Sequence, residues 1–382
     1  VVIECLGTDI NLEAFPYPIE NVTGSITITP ENILLENLTA TGAQTASADP
    51  QEIAQIALNG QLMASHAEVV SGHISLHAHN VALNDTLARA LPEGPAGIYR
   101  AISPAGTVDL DIDEAIFDTD PNAQRWLKFV GAQLAFRQCS FVSRQTLDDF
   151  DAVLTADLSY KLGHGLWTAR ADLKADTLRI KNRLLRSLRA PIIYNRKKTV
   201  FTSTDFTADC YHGKVIGDIE LKQPVGKTAP YVLQLAFDNV DLAGIGAGKA
   251  EQQISDTYTR GSTAGVFTAA GTLGQKGSGI GRMNISITDM ELARRSLLGK
   301  VLTALQLDEP TDFIFSSMTV AAYLKESELV LEQVYMSGES MVLAGSGRLD
   351  LDNNEIELDL TASGKKITSE PSFLESLAKG LG

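Results

Sequence analysis

Residues 341–360 read MVLAGSGRLDLDNNEIELDL, and this stretch decides the fold of the chain. Leu349 and Leu351 alternate with charged side chains, and the same alternation resumes after Asn353-Asn354. A period of two is typical of a strand with one buried face. Because Asn tolerates the positive φ angles of a tight turn, the stretch predicts a β-hairpin with one polar and one apolar face.

The residues before this hairpin continue the pattern. Gly281 to Thr288 alternates as a strand, and residues 313–324 and 328–336 form a second predicted hairpin. Thr288 with Glu291 matches a capping box, which satisfies two amide donors at the start of a helix. Leucines at helical spacing follow, so a helix is predicted between Thr288 and Pro310.

Most of the remaining chain also alternates. The clearest case is Ala152 to Leu162 followed by Trp167 to Ala175, joined at Gly163-His164-Gly165. A short helical turn is predicted over Asp85 to Ala90, and the spacing of Trp126, Phe129 and Val130 predicts an amphipathic helix over 121–133. Two further helices are predicted, over 248–258 and after Pro371.

These elements predict a mainly β fold with a few short helices. The strands form an elongated, curled, mostly antiparallel sheet, and an open sheet with one apolar face can hide that face by curling into an apolar groove. Three segments are distinguished, 1–135, 136–262 and 263–382, and we expect them to share one continuous sheet.

A short recurrence links distant strands. Asn80-Val81, Asn239-Val240 and Asp289-Met290 each follow an alternating strand and precede a change of direction. Asn and Asp side chains bond nearby amides at turns and helix starts. The recurrence therefore predicts a repeated supersecondary unit.

The charge and hydropathy of the chain exclude several classes. The net charge of −15 argues against a nucleic-acid partner, which needs a basic surface. No run of about 20 apolar residues could span a bilayer as a helix, and no signal peptide is present. Because the chain begins at Val1, it is expected to be a piece of a longer protein.

No pattern predicts catalysis, a cofactor or a metal. His73, His77 and His79 share one face of a predicted strand, where a metal site competes with a solvated polar face, and the polar face is favoured. Asp109, Asp111 and Asp113 alternate with apolar residues as in a strand, and Glu114 fills the position at which a calcium loop needs glycine.

A basic stretch interrupts the acidic background around Pro191. A solvated loop is the simpler interpretation, and contact with anionic lipid headgroups is the functional one. The residues concerned are Arg183, Arg186, Arg189, Arg196, Lys197 and Lys198.

Two stretches resemble one family. NISITDMELARRSLLGKVLTALQL (284–307) and DFIFSSMTVAAYLKESELVLEQVYMSGESMVLAGSGRLDLDNNEIELDL (312–360) are similar to the C-terminal region of AsmA-like envelope proteins, relatives of TamB and bridge-like lipid transfer proteins. The resemblance lies in hairpins that end in a Gly-x-Gly-x-Leu-Asp-Leu strand, here Gly345 to Leu351. One departure is the turn at Lys325-Glu326-Ser327, where a glycine is expected.

The resemblance implies transport of phospholipid or a similar lipid between the bacterial inner and outer membranes. It implies a periplasmic location, an inner-membrane anchor outside this chain, membrane proteins at either end of the groove, and no enzymatic step. Acyl chains would lie along the apolar face. The expected lining residues are Ile26, Ile28, Leu110, Ile112, Leu154, Leu158, Trp167, Leu173, Ile219, Leu233, Leu235, Ile285, Ile287, Leu349, Leu351, Ile356 and Leu358.

Two alternatives remain from the sequence. A structural or adhesive β module would close its sheets completely and hold no lipid. A metal-dependent enzyme, the less favoured alternative, would need the histidine row to bind an ion.

Overall fold

The fold is described from a computed structural model. The structure describes residues 1–12, 15–42, 53–65, 68–91, 96, 99–100, 103–119, 124–142, 146–180, 183–223, 228–247, 260–275, 277–291, 314–338, 341–353 and 355–364. The helices predicted over 248–258 and after Pro371 lie outside these residues, as do Leu297, Val301 and Leu305 of the helix predicted before Pro310.

The described chain forms one antiparallel sheet of nineteen strands in which each strand pairs with the next along the sequence. The first ten strands are β1 (Val2–Leu12), β2 (Phe15–Ile28), β3 (Asn32–Gly42), β4 (Gln55–Ser65), β5 (Glu68–Ala82), β6 (Pro104–Thr119), β7 (Arg125–Val142), β8 (Thr146–Lys161), β9 (Gly165–Ile180) and β10 (Arg183–Asn195). The other nine are β11 (Val200–Cys210), β12 (Gly213–Lys222), β13 (Ala229–Asp241), β14 (Arg260–Leu273), β15 (Ile280–Glu291), β16 (Ile314–Lys325), β17 (Glu328–Gly338), β18 (Met341–Asp350) and β19 (Glu355–Gly364).

The sheet is open, because β1 pairs only with β2 and β19 only with β18 among the described strands. Eighteen steps of about 4.8 Å between nineteen strands give a contour of roughly 85 Å. The predicted fold class is therefore confirmed: a mainly β, antiparallel, curled sheet that does not close into a barrel.

The two long edges of the sheet differ. Helices α1 (Asp85–Ala90) and α2 (Leu242–Ala247) connect β5 to β6 and β13 to β14, so both lie at the same edge, here called the helix edge. The opposite edge, here called the turn edge, carries the tight turns at residues 162–164 and 196–199. Helix α1 is confirmed as predicted, and the Asn84 side chain caps it by accepting from two backbone amides.

β-Bulges bend many of the strands. On β7, Phe129 and Ala132 pair with Leu158 and Ala156, so three steps on one strand match two on its neighbour. Gly131 between them has φ 61°, and its N–H donates to Asp157 Oδ1 at 2.8 Å. A bulge leaves one amide outside the ladder and bends the strand, and here a side chain of the neighbouring strand accepts that amide.

The same arrangement recurs elsewhere in the sheet. In each case a residue with positive φ donates its N–H to an Asp or Asn side chain across the strand pair. The further pairs are Asn21 with Asp9, Asn37 with Asn59, Asn80 with Asp109, Gln138 with Asp151, and Asp205 with Asp218.

Three predictions of local structure are wrong. Residues 125–133, predicted as helix, belong to β7, and the basic stretch predicted as a loop around Pro191 forms β10. Thr288 to Glu291 also belong to a strand, β15, because Asp289 adopts φ 52° there instead of opening a capped helix. At the turn without glycine, Glu326 adopts φ 59°.

Fully buried side chains gather toward the helix edge. One cluster joins Met290, Phe315, Met336 and Leu343 beside Leu242 of α2. A second cluster surrounds Cys139, Phe150 and Leu178, and a third surrounds Val22 and Leu38. Apolar packing is therefore densest near the helix edge.

Candidate functional site

The strand registers place one uncharged row of residues across β1 to β14. Directly paired residues of neighbouring strands have side chains on the same face of a sheet. In strand order, the first row is Ile3, Ile26, Leu35, Gly60, Ile74, Ala115, Phe129, Leu158, Ala169, Tyr194, Phe201, Leu221, Tyr231 and Gly271.

A second row continues across β12 to β19. Its members are Val215, Phe237, Gly265, Ile285, Val320, Val334, Gly345 and Leu360. The two rows overlap on β12 to β14, and neither contains a charged residue. The face that carries both rows is here called the apolar face.

Most of the predicted lining residues lie half-buried on the apolar face. Ile112 and Ile287 are buried, and Ile28, Leu351 and Ile356 are exposed. Side chains of neighbouring strands on the same face therefore cover most of these residues in part. Ile219 pairs with Leu233, and Leu154 with Leu173, so the registers bring several lining residues into contact.

Two of the predicted lining residues, Leu351 and Trp167, do not lie in the middle of a strand. Leu351 follows the end of β18, and its N–H donates to the Ser327 carbonyl at 2.9 Å. Trp167 lies at the turn edge, where its ring packs edge-on against Trp126 with centroids 5.2 Å apart. Register irregularity between Ser159 and Tyr160 separates Trp167 from the regular ladder of β8 and β9.

The opposite face carries the charges. Lys214 pairs with Asp238, and Arg348 donates to Glu357. The carboxylates that accept bulge amides lie on this face as well. The contrast between the two faces is the one that the alternating sequence predicts.

The six basic residues proposed for headgroup contact do not form one cluster. Arg183, Arg186 and Arg189 are exposed on β10, near the helix edge, whereas the basic run 196–198 is the turn at the opposite edge. Ten residues of strand separate Arg186 from Arg196, which corresponds to about 33 Å.

Two histidines of the row, His77 and His79, lie beside carboxylates of β6. His77 Nδ1 lies 3.0 Å from Asp111 Oδ1, and His79 lies 3.8 Å from both Asp109 and Asp111. No group of three metal-type ligands converges within the described ranges. The alternation of Asp109 to Asp113 as a strand is confirmed by β6.

Asp109 is the buried centre of this network, with 4% of its surface exposed. Burial raises the pKa of its carboxyl. The N–H of Asn80 and the guanidinium of Arg137 together lower this pKa by more than burial raises it, so the net pKa lies below the ordinary value. The ionised carboxylate thus holds the Asn80 bulge and ties it to β7 through Arg137.

The three cysteines are free thiols. Burial raises the pKa of Cys210 to about 11, and burial also raises the pKa of Cys139. A protonated, buried thiol is a poor nucleophile. Cys210, two residues from His212, therefore behaves as a small packing residue.

Two depressions in the described part of the sheet lie on the polar face. One, of about 610 Å³, is lined by residues such as Gln234, Arg282 and Tyr323, and the other by Asn284 and Thr319. Both are shallow grooves between strands, and the second also borders Gly265, Ile285 and Val320 of the second row.

Comparisons with known protein families, curated proteins and solved structures find no match. Within the residues that the structure describes, no helix is long and apolar enough to cross a bilayer.

The sequence interpretation missed much of the first row. Phe129, Tyr194 and Phe201 belong to it, yet Phe129 was assigned to a helix and Tyr194 to a loop. Aromatic and β-branched enrichment of these stretches favours strands and was the available signal.

Proposed function

We propose that this chain binds lipid acyl chains along its apolar face and carries them across the sheet. The observation that supports this is the pair of overlapping uncharged rows, which together span nineteen strands with no second layer over them among the described residues. A lipid tail laid along such a surface would lose water from every methylene, which favours binding by about 0.8 kcal/mol per buried CH₂.

The proposed mechanism is passive. Acyl chains slide along the rows while headgroups remain hydrated at the open side of the groove, and no covalent step occurs. The packed clusters near the helix edge support one closed side, since Met290, Phe315 and Met336 are almost fully buried.

The resemblance to AsmA-like proteins supports a biological setting. In this proposal the cargo is phospholipid or a similar lipid, and the chain acts in the periplasm between the inner and outer membranes. It would support outer-membrane biogenesis, with membrane proteins at the two ends of the sheet handing lipid on and off.

Paired substitutions on one strand test the proposal. Leu158→Asp places a charge in the first row of β8, and Val153→Asp places the same charge on the polar face of that strand, where Val153 is 40% exposed. After expression in bacteria and removal of detergent, native mass spectrometry with lipid extraction should find copurifying phospholipid with wild type and Val153→Asp. It should find at least a tenfold loss with Leu158→Asp.

Lipid-free wild-type protein, or equal lipid on both variants, would contradict lipid carriage. The first outcome would favour a structural or adhesive β module. Circular dichroism of both variants checks that the sheet remains folded.

A further inference from the structure

Both tryptophans of the chain lie in one cluster at the turn edge. Trp126 begins β7 and Trp167 begins β9, and their rings meet nearly at right angles, with an interplanar angle of 86°. The cluster therefore lies at the turn edge, near the turns that join β8 to β9 and β10 to β11.

Two cations contact these rings. Lys161 Nζ lies 5.5 Å from the Trp126 centroid and 5.0 Å from the Trp167 centroid. The Arg196 guanidinium carbon lies 3.3 Å from the Trp167 centroid, which is stacking distance. Cations are attracted to indole faces, so the rings hold both charges in place.

The cluster lacks a matching anion. Lys161 is only 7% exposed, yet neither it nor Arg196 forms an ion pair with any carboxylate of the described residues. A buried ammonium has three donors and is costly to leave unpaired. In a chain of net charge −15, two cations that contact the same Trp167 ring, with no carboxylate paired to either among the described residues, form a locally electropositive site.

The surroundings suit an amphipathic anion. Lys197 and Lys198 are exposed in the same turn as Arg196, and Tyr160 and Leu162 are 40% and 43% exposed beside Lys161. In membrane proteins, tryptophan, lysine and arginine are enriched at the membrane–water interface, where the lipid headgroups lie. Leu158 of the first row is three residues from Lys161 on the same strand, about 10 Å away along it but on the other face, so the turn edge separates the two side chains.

We propose that Lys161 and Arg196, held by Trp126 and Trp167, form a binding site at the turn edge for the phosphate of a lipid headgroup whose acyl chains pass round that edge into the groove. The inference rests on the proposed function and adds a fixed headgroup position to it. Charge-assisted hydrogen bonds from ammonium and guanidinium to phosphate oxygens supply the recognition.

Tryptophan fluorescence reports on this site alone, because no other tryptophan exists in the chain. The full chain is titrated with dihexanoyl phosphatidylglycerol, with dihexanoylglycerol, which lacks the phosphate, and with inorganic phosphate. The phospholipid should change the emission at the lowest concentration, with an apparent Kd at least tenfold below that of either other probe.

Variants separate the site from the groove. Lys161→Met and Arg196→Gln should each raise the apparent Kd for the phospholipid at least tenfold, and the half-buried Arg196 provides a variant that leaves the more deeply buried Lys161 side chain intact. Lys174→Met, an exposed lysine on β9, is the matched control and should leave the Kd unchanged.

Equal affinity for dihexanoylglycerol would overturn phosphate recognition, and equal affinity for inorganic phosphate would overturn the lipid source. If the phospholipid leaves the tryptophan emission of the wild-type protein unchanged although the protein still copurifies phospholipid, the headgroup site is wrong. The proposed function would then still stand. Wild-type protein that copurifies no phospholipid would instead contradict the proposed function itself, whatever the tryptophan emission shows.

Discussion

At the scale of single residues, the bulges explain why Asn and Asp recur in this chain. A non-glycine residue with positive φ is strained, and Asn and Asp tolerate that conformation best. Asn21, Asn37 and Asn80 all adopt it, with φ between 51° and 56°. Across the strand pair, another Asp or Asn accepts the amide that the bulge leaves free.

Removing one acceptor should therefore destabilise the sheet measurably. Asp157→Ala leaves the Gly131 amide without its 2.8 Å hydrogen bond, and we expect a loss of about 1 kcal/mol in the free energy of unfolding. Asp172→Ala, an exposed carboxylate on β9, is the control and should change stability by less than about 0.5 kcal/mol. Urea unfolding followed by circular dichroism measures both, and equal midpoints for the two variants would contradict the bulge account.

Asp109 should make the stability depend on acid. Its folded-state pKa is depressed below the ordinary 3.8, so the ionised carboxylate contributes stability above that value and the contribution is lost as the pH falls through the folded pKa. Asp109→Asn should be less stable than wild type at pH 7, and the difference should shrink below about pH 3.8. Thermal melts from pH 7 to pH 2.5 test this, and a difference that stays constant over that range would contradict it.

The recurrence of Asn80, Asn239 and Asp289 was predicted from the sequence as strand ends with bonding side chains. The structure gives a different reason for the same letters. All three adopt φ between 52° and 56° within the last residues of their strands. These three residues share a backbone conformation, and the amino-acid sequence alone does not reveal that conformation.

At the scale of elements, bulges also explain why β7 resembled a helix. An extra residue moves the next inward side chain from position i+2 to i+3, as in Phe129 to Ala132 and Phe136 to Cys139. Three-residue spacing is one of the signatures of a helix. Sequence periodicity therefore fails where a strand is bulged, and β7 is bulged twice.

Strand β10 was missed for a related reason. Pro191 suggests a loop, but it pairs with Asp172 of β9 and lies in the register irregularity between Arg189 and Ile193 on the β11 side. Proline is tolerated where a strand lacks a ladder hydrogen bond. The basic residues beside it are the polar face of the strand.

The β7 bulge can be tested at Gly131. Gly131→Asn keeps a residue that tolerates φ 61°, whereas Gly131→Val does not, and no heavy atom lies within 4 Å of an added Cβ. Valine should therefore destabilise the sheet by about 1–2 kcal/mol relative to asparagine through backbone strain alone. Chemical denaturation of the two variants measures this, and equal stability would show that the bulge relaxes freely.

At the scale of the whole molecule, the simple order of the strands made the fold predictable. Each hairpin is local in sequence, so alternation and turn residues such as Gly163 and Gly165 are enough to predict an antiparallel sheet. The two uncharged rows could not be predicted, because their continuity depends on the register of every strand pair. That register shifts at bulges such as Asn37, Gly131 and Asp205.

The two faces of this sheet divide the chemistry of the chain. Charges, bulge acceptors and the His77 network lie on the polar face, and the two rows lie on the apolar face. The proposed function requires lipid tails to occupy the two rows.

Photocross-linking tests that claim most directly. A phospholipid with a diazirine in its acyl chain is bound to the wild-type chain and irradiated, and the modified residues are mapped by mass spectrometry. The account predicts adducts on the apolar face, at row members such as Leu158, Phe201 and Ile285. Adducts mainly at polar-face residues such as Val153 and Ile193, or no specific adduct, would contradict it.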